Sequence, residues 1–127
     1  MSDPAHLLQA PSPNVFDSAC PTRAILDRIA DKWTVLLLIL LARRTMRFNE
    51  LRRGVDGLSQ KVLSQTLKSL ERDGLVTRTA YPTVPVTVEY AITPLGIDLA
   101  AALDGLRRFA EDRLPDIENA RARFDAT

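Results

Sequence analysis

Between positions 58 and 93 (LSQKVLSQTLKSLERDGLVTRTAYPTVPVTVEYAIT) the spacing of apolar residues changes from steps of three and four to steps of two. That change predicts an amphipathic helix running into two strands. Val62, Leu63, the methyl of Thr66, Leu67 and Leu70 make one stripe, which occupies about one-third of the helix circumference and must face a core. Gln60, Lys61, Ser64, Gln65 and Lys68 lie opposite, with no acid before Glu71. A merely solvated helix face usually interleaves Glu with Lys for pairing one turn apart, whereas amides, hydroxyls and lysines without acid suit base edges and phosphates. Asp73-Gly74 should end the helix, glycine taking the left-handed conformation after the last turn. In the strands, Val76, Arg78 and Ala80 share one face, as do Val88, Tyr90 and Ile92, and the two should pair antiparallel. Residues 82–86 join them as a stiff loop whose two prolines fall outside the ladder.

Upstream, the pattern predicts helices over residues 21–30, 31–43 and 49–55. Pro21 suits the first helical position, and Ile25, Leu26 and Ile29 are expected inward. In the second helix Asp31 is a plausible N-cap, Trp33, Leu36, Leu37, Leu40 and Leu41 share a side, and Val35, Leu38 and Ile39 extend the apolar surface around most of it. Such a helix is central, with Trp33 as a core anchor. Residues 45–48 read as an extended link, and the compact helix after it turns Leu51 and Val55 in and Arg52 and Arg53 out. Asp56-Gly57 makes a turn, and Ser59 caps the next helix, placing Gln60 and Lys61 in its first turn. A short helix, a glycine turn, a helix with a polar face and a protruding β-loop form a helix-turn-helix with a wing. A plain surface hairpin in place of a wing would leave the polar helix face unexplained.

Thr93-Pro94 starts a last long helix with Leu95, Leu99, Leu103, Leu106, Phe109 or Ala110, and Leu114 in a stripe. That is more apolar surface than one small domain covers, so this helix, alone or with the first, is expected to pair with its copy in a twofold homodimer. Pro115 is expected to break it, leaving a short final helix or a frayed end. The organisation expected is an N-terminal mobile arm over residues 1–19, a winged helix-turn-helix domain with dimerisation helices over 20–114, and a C-terminal helix or tail over 115–127. The fold class is mainly α with a small β-hairpin wing.

Composition narrows the function. With 127 residues, 46% of them hydrophobic and 26% charged, the chain has room for one ordinary globular domain. Its longest apolar run, residues 35–42, is far short of the ~20 residues of a membrane span. No basic stretch followed by an apolar one opens the chain, so a cytoplasmic protein without membrane contact is expected. A net charge of +1 conceals twelve basic against six acidic residues in 23–78, with five against ten elsewhere. A basic centre between acidic ends fits a nucleic-acid footprint, though an ordinary mixed surface is the plainer alternative. His6 in the arm is expected to be solvent-exposed, and no histidine, phosphate-cradling glycine loop or spaced acid pair marks the folded region as catalytic. No enzyme, no cofactor and no metal are therefore expected. The single cysteine excludes an intrachain disulfide, but leaves an intersubunit one open. Cys20 precedes the first helix, where the dipole, the free amides and Arg23 favour a thiolate of depressed pKa; the alternative is a small buried apolar residue.

These residues carry a resemblance. Over residues 20–109 the chain resembles the HxlR-type winged helix-turn-helix regulators of bacteria, relatives of the MarR-like group. The matching segments are Cys20-Pro21; Asp31-Lys32-Trp33; Arg47-Phe48-Asn49-Glu50-Leu51; Leu58-Ser59-Gln60-Lys61 with Leu63 and Gln65; Leu70-Glu71-Arg72-Asp73-Gly74-Leu75-Val76; and Tyr81-Pro82 through Val88-Glu89-Tyr90 to Thr93-Pro94-Leu95-Gly96. The resemblance implies a homodimer whose recognition helices enter successive major grooves of a near-palindromic double-stranded operator, at half-sites roughly 34 Å apart, with the wings on flanking DNA. It places Cys20 where several members sense oxidants or electrophiles; other members sense small molecules, or nothing identified. Two departures stand out: Val86-Thr87 replaces a common proline and basic residue of the wing, and Ala30 replaces a common glycine. Accordingly the wing is expected to be less rigid and to lack a phosphate contact.

The expected function is a sequence-specific, DNA-binding transcriptional regulator, a homodimeric repressor responding to an oxidant or electrophile through Cys20 or to a small-molecule effector. Gln60, Lys61, Ser64 and Gln65, with Ser59 beside them, are the expected base readers, and Lys68, Arg52, Arg78 and Thr83 the phosphate contacts, with Tyr81 in the wing. The rival is a winged helix used for protein interaction without DNA binding.

Overall fold

The computed structural model describes residues 14–127. Its elements are α1 (Pro21–Ile29), α2 (Lys32–Leu41), β1 (Met46–Arg47), α3 (Phe48–Gly54), α4 (Gln60–Arg72), β2 (Val76–Tyr81), β3 (Thr87–Ile92) and α5 (Pro94–Asp125). Residues 1–13 of the expected arm, with His6, lie outside the described residues; residues 14–19 form turns ahead of α1, and Arg23 donates to the Phe16 carbonyl.

The helix apolar on nearly every side is at the centre. Asp31 caps α2 by accepting from the amides of Trp33 and Thr34, and α2 then packs against α1, α3, α4, α5 and β3. Leu37, Leu38 and Leu41 are buried in one cluster with Leu51 of α3, Leu63 and Leu67 of α4, Val76 of β2 and Leu103 of α5. Trp33 packs against this cluster only partly buried, and its outer ring face takes the Lys32 ammonium, 4.5 Å from the centroid. Leu36, expected inward, is exposed because α2 has one strip that no neighbour covers.

Three expectations are corrected. First, the sheet has three strands, in the order β1-β3-β2, all antiparallel. The link over residues 45–48 contains β1, whose Met46 pairs with Tyr90 and Arg47 with Glu89. Second, Pro115 does not break the last helix, which runs through it for 32 residues. Proline there forfeits one amide and crowds the preceding turn, but the surroundings are exposed, so water can serve the freed carbonyl, and Arg113 and Asp116 close an ion pair of 2.7 Å beside it. Third, Ile25 and Leu26 of α1, expected inward, are exposed; Leu95, Leu106, Phe109 and Leu114 of α5 are exposed as well, in keeping with an apolar stripe larger than one domain covers. Of the α5 stripe only Leu103 is fully buried and Leu99 partly.

The join between α4, β2 and α5 fixes the angle of the wing. Leu75 N–H bonds the Leu70 carbonyl (2.9 Å) and Gly74 N–H the Glu71 carbonyl (3.1 Å), with Gly74 at φ +75°. This is the Schellman closure, and its usual apolar contact is supplied by buried Leu70 and Leu75. Thr93 then ties the closure to α5: its hydroxyl donates to the Gly74 carbonyl (2.7 Å) and accepts from Gly96 N–H (3.0 Å), while its own amide bonds the Leu75 carbonyl (3.1 Å). On the other side, Arg28 of α1 reaches both carboxylate oxygens of Asp73, at 2.7 and 3.1 Å. At the end of α1, Ala30 has φ −79° and ψ −4°, an ordinary right-handed conformation that does not require glycine.

Candidate nucleic-acid interface

Ser59 sets the start of α4 by accepting from Val62 N–H at 3.1 Å, which leaves its own proton free. Leu63, Leu67 and Leu70 are buried, and Val62, Thr66 and Ser69 half-buried, so the opposite face is fixed outward. At ~100° per residue, Lys61, Gln65, Lys68 and Arg72 fall in one line along the middle of that face, with Ser64 to one flank. Gln60, Lys61, Ser64, Gln65 and Lys68 are all exposed, as is Arg72. Arg72 was not among the expected contacts, although its place one turn after Lys68 was readable from the helical period.

The other expected contacts are distributed less simply. Arg52, Arg78, Tyr81 and Thr83 are exposed. Arg78 pairs with Tyr90 and Tyr81 with Thr87, so strand alternation sends Arg78 and Tyr81 to opposite faces of the wing. Thr83 is turned inward on its own loop: its amide bonds the Tyr81 carbonyl (2.8 Å), its hydroxyl donates to the Pro85 carbonyl (2.7 Å), and the Thr87 hydroxyl lies 2.9 Å away. Thr87 thus helps to organise the loop.

Around α3 the acid is engaged and the bases are not. Glu50 accepts from the Arg47 amide at 2.9 Å and pairs with Arg44 at 2.9 Å. The Arg47 amide, then Arg44, hold its carboxyl below the usual range. Among the described residues no acid lies within ion-pairing distance of Arg47, Arg52 or Arg53.

Cys20 lies apart from this surface, at the N-cap of α1 with 8% of its area exposed. The neutral thiol makes no capping hydrogen bond, but its pKa is lowered, chiefly by the Arg23 backbone N–H and also by Thr22, with burial opposing. Among the described residues no helix is long and apolar enough to cross a membrane.

Comparison with known proteins places this arrangement. The model of the HxlR-like helix-turn-helix family matches residues 28–118. The uncharacterized HTH-type transcriptional regulator YtfH of Escherichia coli (strain K12) is 42% identical over 104 residues, 82% of each chain. The solved structure of YtfH from Salmonella typhimurium superposes with a TM-score of 0.83 at 40% identity, covering 87% of this chain and 99% of that one. The redox regulator HypR in its reduced form gives 0.71 at 33% identity, covering 78% and 98%. With α3, α4 and the wing all inside the matched region, this chain belongs to the HxlR-like helix-turn-helix family of transcriptional regulators.

Proposed function

We propose that the protein is a sequence-specific repressor that binds a near-palindromic operator as a homodimer. The observation that carries this reading is the outward face of α4, from Ser59 to Lys68, which offers amides, hydroxyls and ammonium groups and no carboxylate. Gln60, Lys61, Ser64 and Gln65 are assigned to base edges, with Ser59 donating its free proton beside them. Lys68 and Arg52 are assigned to phosphates, with Arg78 and Tyr81 in the wing. Thr83 is a weaker assignment, because its one proton is already donated within the loop. The dimer is supported by the uncovered apolar residues of α1 and α5, among them Ile25, Leu26, Leu106 and Phe109. A dimer of this size acts most simply by occupying promoter DNA.

Cys20 is assigned as the sensor of an oxidant or electrophile. Support comes from its depressed pKa at a helix start and from the likeness to HypR, a redox regulator. The Arg28–Asp73 pair links the Cys20-bearing helix to the end of α4, which offers a route for the response.

The test is a fluorescence-anisotropy titration of reduced protein, across a salt series, against duplex from upstream of its own gene and against a scrambled duplex. Tight selective binding with a steep salt slope is expected, and oxidant or quinone treatment should weaken it. Weak, salt-independent binding to both duplexes would overturn the reading.

A further inference from the structure

The antiparallel pairing of β1 with β3 shapes the surface beside the recognition helix. Because Arg47 lies opposite Glu89, the chain leaving β1 enters α3 alongside the beginning of β3 and the wing loop before it. An open groove of about 760 Å³ results, with Arg47, Asn49 and Arg53 along one wall and Pro85, Val86 and Thr87 along the other. Neither arginine has an acid partner among the described residues, and the groove's carboxylate, Glu50, is already held by Arg44 and by the Arg47 amide. Val86 is 65% exposed, so the wing wall is unobstructed.

We propose that this groove is a second DNA contact, in which Arg47 and Arg53, with the Asn49 amide, clamp a sugar-phosphate strand between α3 and the wing. It rests on the DNA-binding reading above and adds to it a strand path that the recognition helix does not define. Two guanidinium groups without an ion pair among the described residues, in an open groove whose one lining carboxylate, Glu50, is engaged, match a polyanion in charge; Glu89, opposite Arg47 on β3, does not line the groove. An open groove of this volume, walled by α3 on one side and the wing loop on the other, has room for a strand rather than for a single compact anion. The clamp reads no base, so it holds operator and random duplex alike. On this assignment Arg53, one residue around α3 from Arg52, is the main phosphate contact of that helix.

Full-length protein would be titrated by anisotropy against the operator-region duplex and a scrambled duplex across the same salt series. Arg53→Gln is expected to weaken both duplexes by the same factor and to reduce the slope of log K against log salt by about 1.8, the value of two phosphate contacts, one from each protomer of the dimer. Arg47→Gln should do the same. Val86→Lys, which adds a cation to the opposite wall, should steepen the slope by a similar amount, and Arg121→Gln, near the far end of α5, should leave it unchanged. Arg47 also precedes α3, so if Arg47→Gln fails to fold by circular dichroism, Arg53→Gln and Val86→Lys decide the matter. Wild-type slopes in both of those variants would overturn the clamp while leaving the regulator reading intact. Salt-independent binding of the wild type itself would overturn both.

Discussion

The contact of α5 with the end of α4 makes a quantitative prediction about Gly96. A Cβ built there would run into the Leu75 carbonyl oxygen and lie 2.6 Å from Ile92 Cγ1, against the ~3.5–4.0 Å of an ordinary carbon contact. The Leu75 oxygen cannot yield alone, since it accepts from the Thr93 amide. Relief therefore requires the first turn of α5 to lift, stretching the Thr93 bonds to Leu75 and Gly74. Overpacking costs about 1–3 kcal/mol and each weakened hydrogen bond about 1 kcal/mol. Alanine returns up to about 1 kcal/mol of helix propensity. A net loss of about 2–4 kcal/mol is expected for Gly96→Ala, lowering Tm by on the order of 10 °C. Gly105, in the same helix, has no neighbouring atom within 4 Å of where a methyl group would stand, so Gly105→Ala should instead stabilise by about 1 kcal/mol. Urea unfolding followed by far-ultraviolet circular dichroism at one protein concentration measures both. If Gly96→Ala were as stable as wild type, the close packing of α5 on Leu75 would be wrong.

Other expectations follow from the same geometry. Gln60→Ala should cost about 1–3 kcal/mol on operator and relax specificity, whereas Lys68→Ala should weaken operator and random duplex equally; equal losses for Gln60→Ala would remove it from the base-reading set. Alkylation of Cys20 by iodoacetamide should follow a pH midpoint below that of a free cysteine, because the Arg23 amide favours the thiolate; a midpoint at or above the ordinary value would contradict the helix-start effect. Glu50 has its folded pKa below the unfolded one, owing to the Arg47 amide and Arg44. Its stabilising contribution is thus complete above the ordinary carboxylate pKa and disappears as pH falls through the lower folded value. Glu50→Gln should flatten the acid side of the stability profile, and an unchanged profile would show that the Arg44 and Arg47 contacts contribute nothing.

Much of the fold was legible because its signals are local. The stripe from Val62 to Leu70 repeats at the helical period, and Ser59, Asp31 and Thr93 each cap a helix through an oxygen within three residues of the amide it meets. Gly74 closes α4 for a reason carried by its own missing side chain. The outward face of α4 was legible for the same reason, since burying one side of a helix orients the other.

Where the signals were not local, the chain alone was ambiguous. Two residues of β1 carry no period, and only β3, more than forty positions later, makes them a strand. Pro115 is a local stop signal, overridden because an exposed helix end leaves room for water at the freed carbonyl. Arg52 and Arg53 look alike in sequence; the phase of a seven-residue helix against the wing puts Arg53, and not Arg52, in the groove. Thr83 reads as a free hydroxyl in the sequence, and only the fold of its loop turns it onto Pro85. Sequence by itself determined which faces exist and where each helix begins, because caps and periods act within a turn. Which faces meet, and which arginines are left facing open space, was decided only by tertiary structure, because that depends on strand pairing and helix packing between residues far apart in the chain.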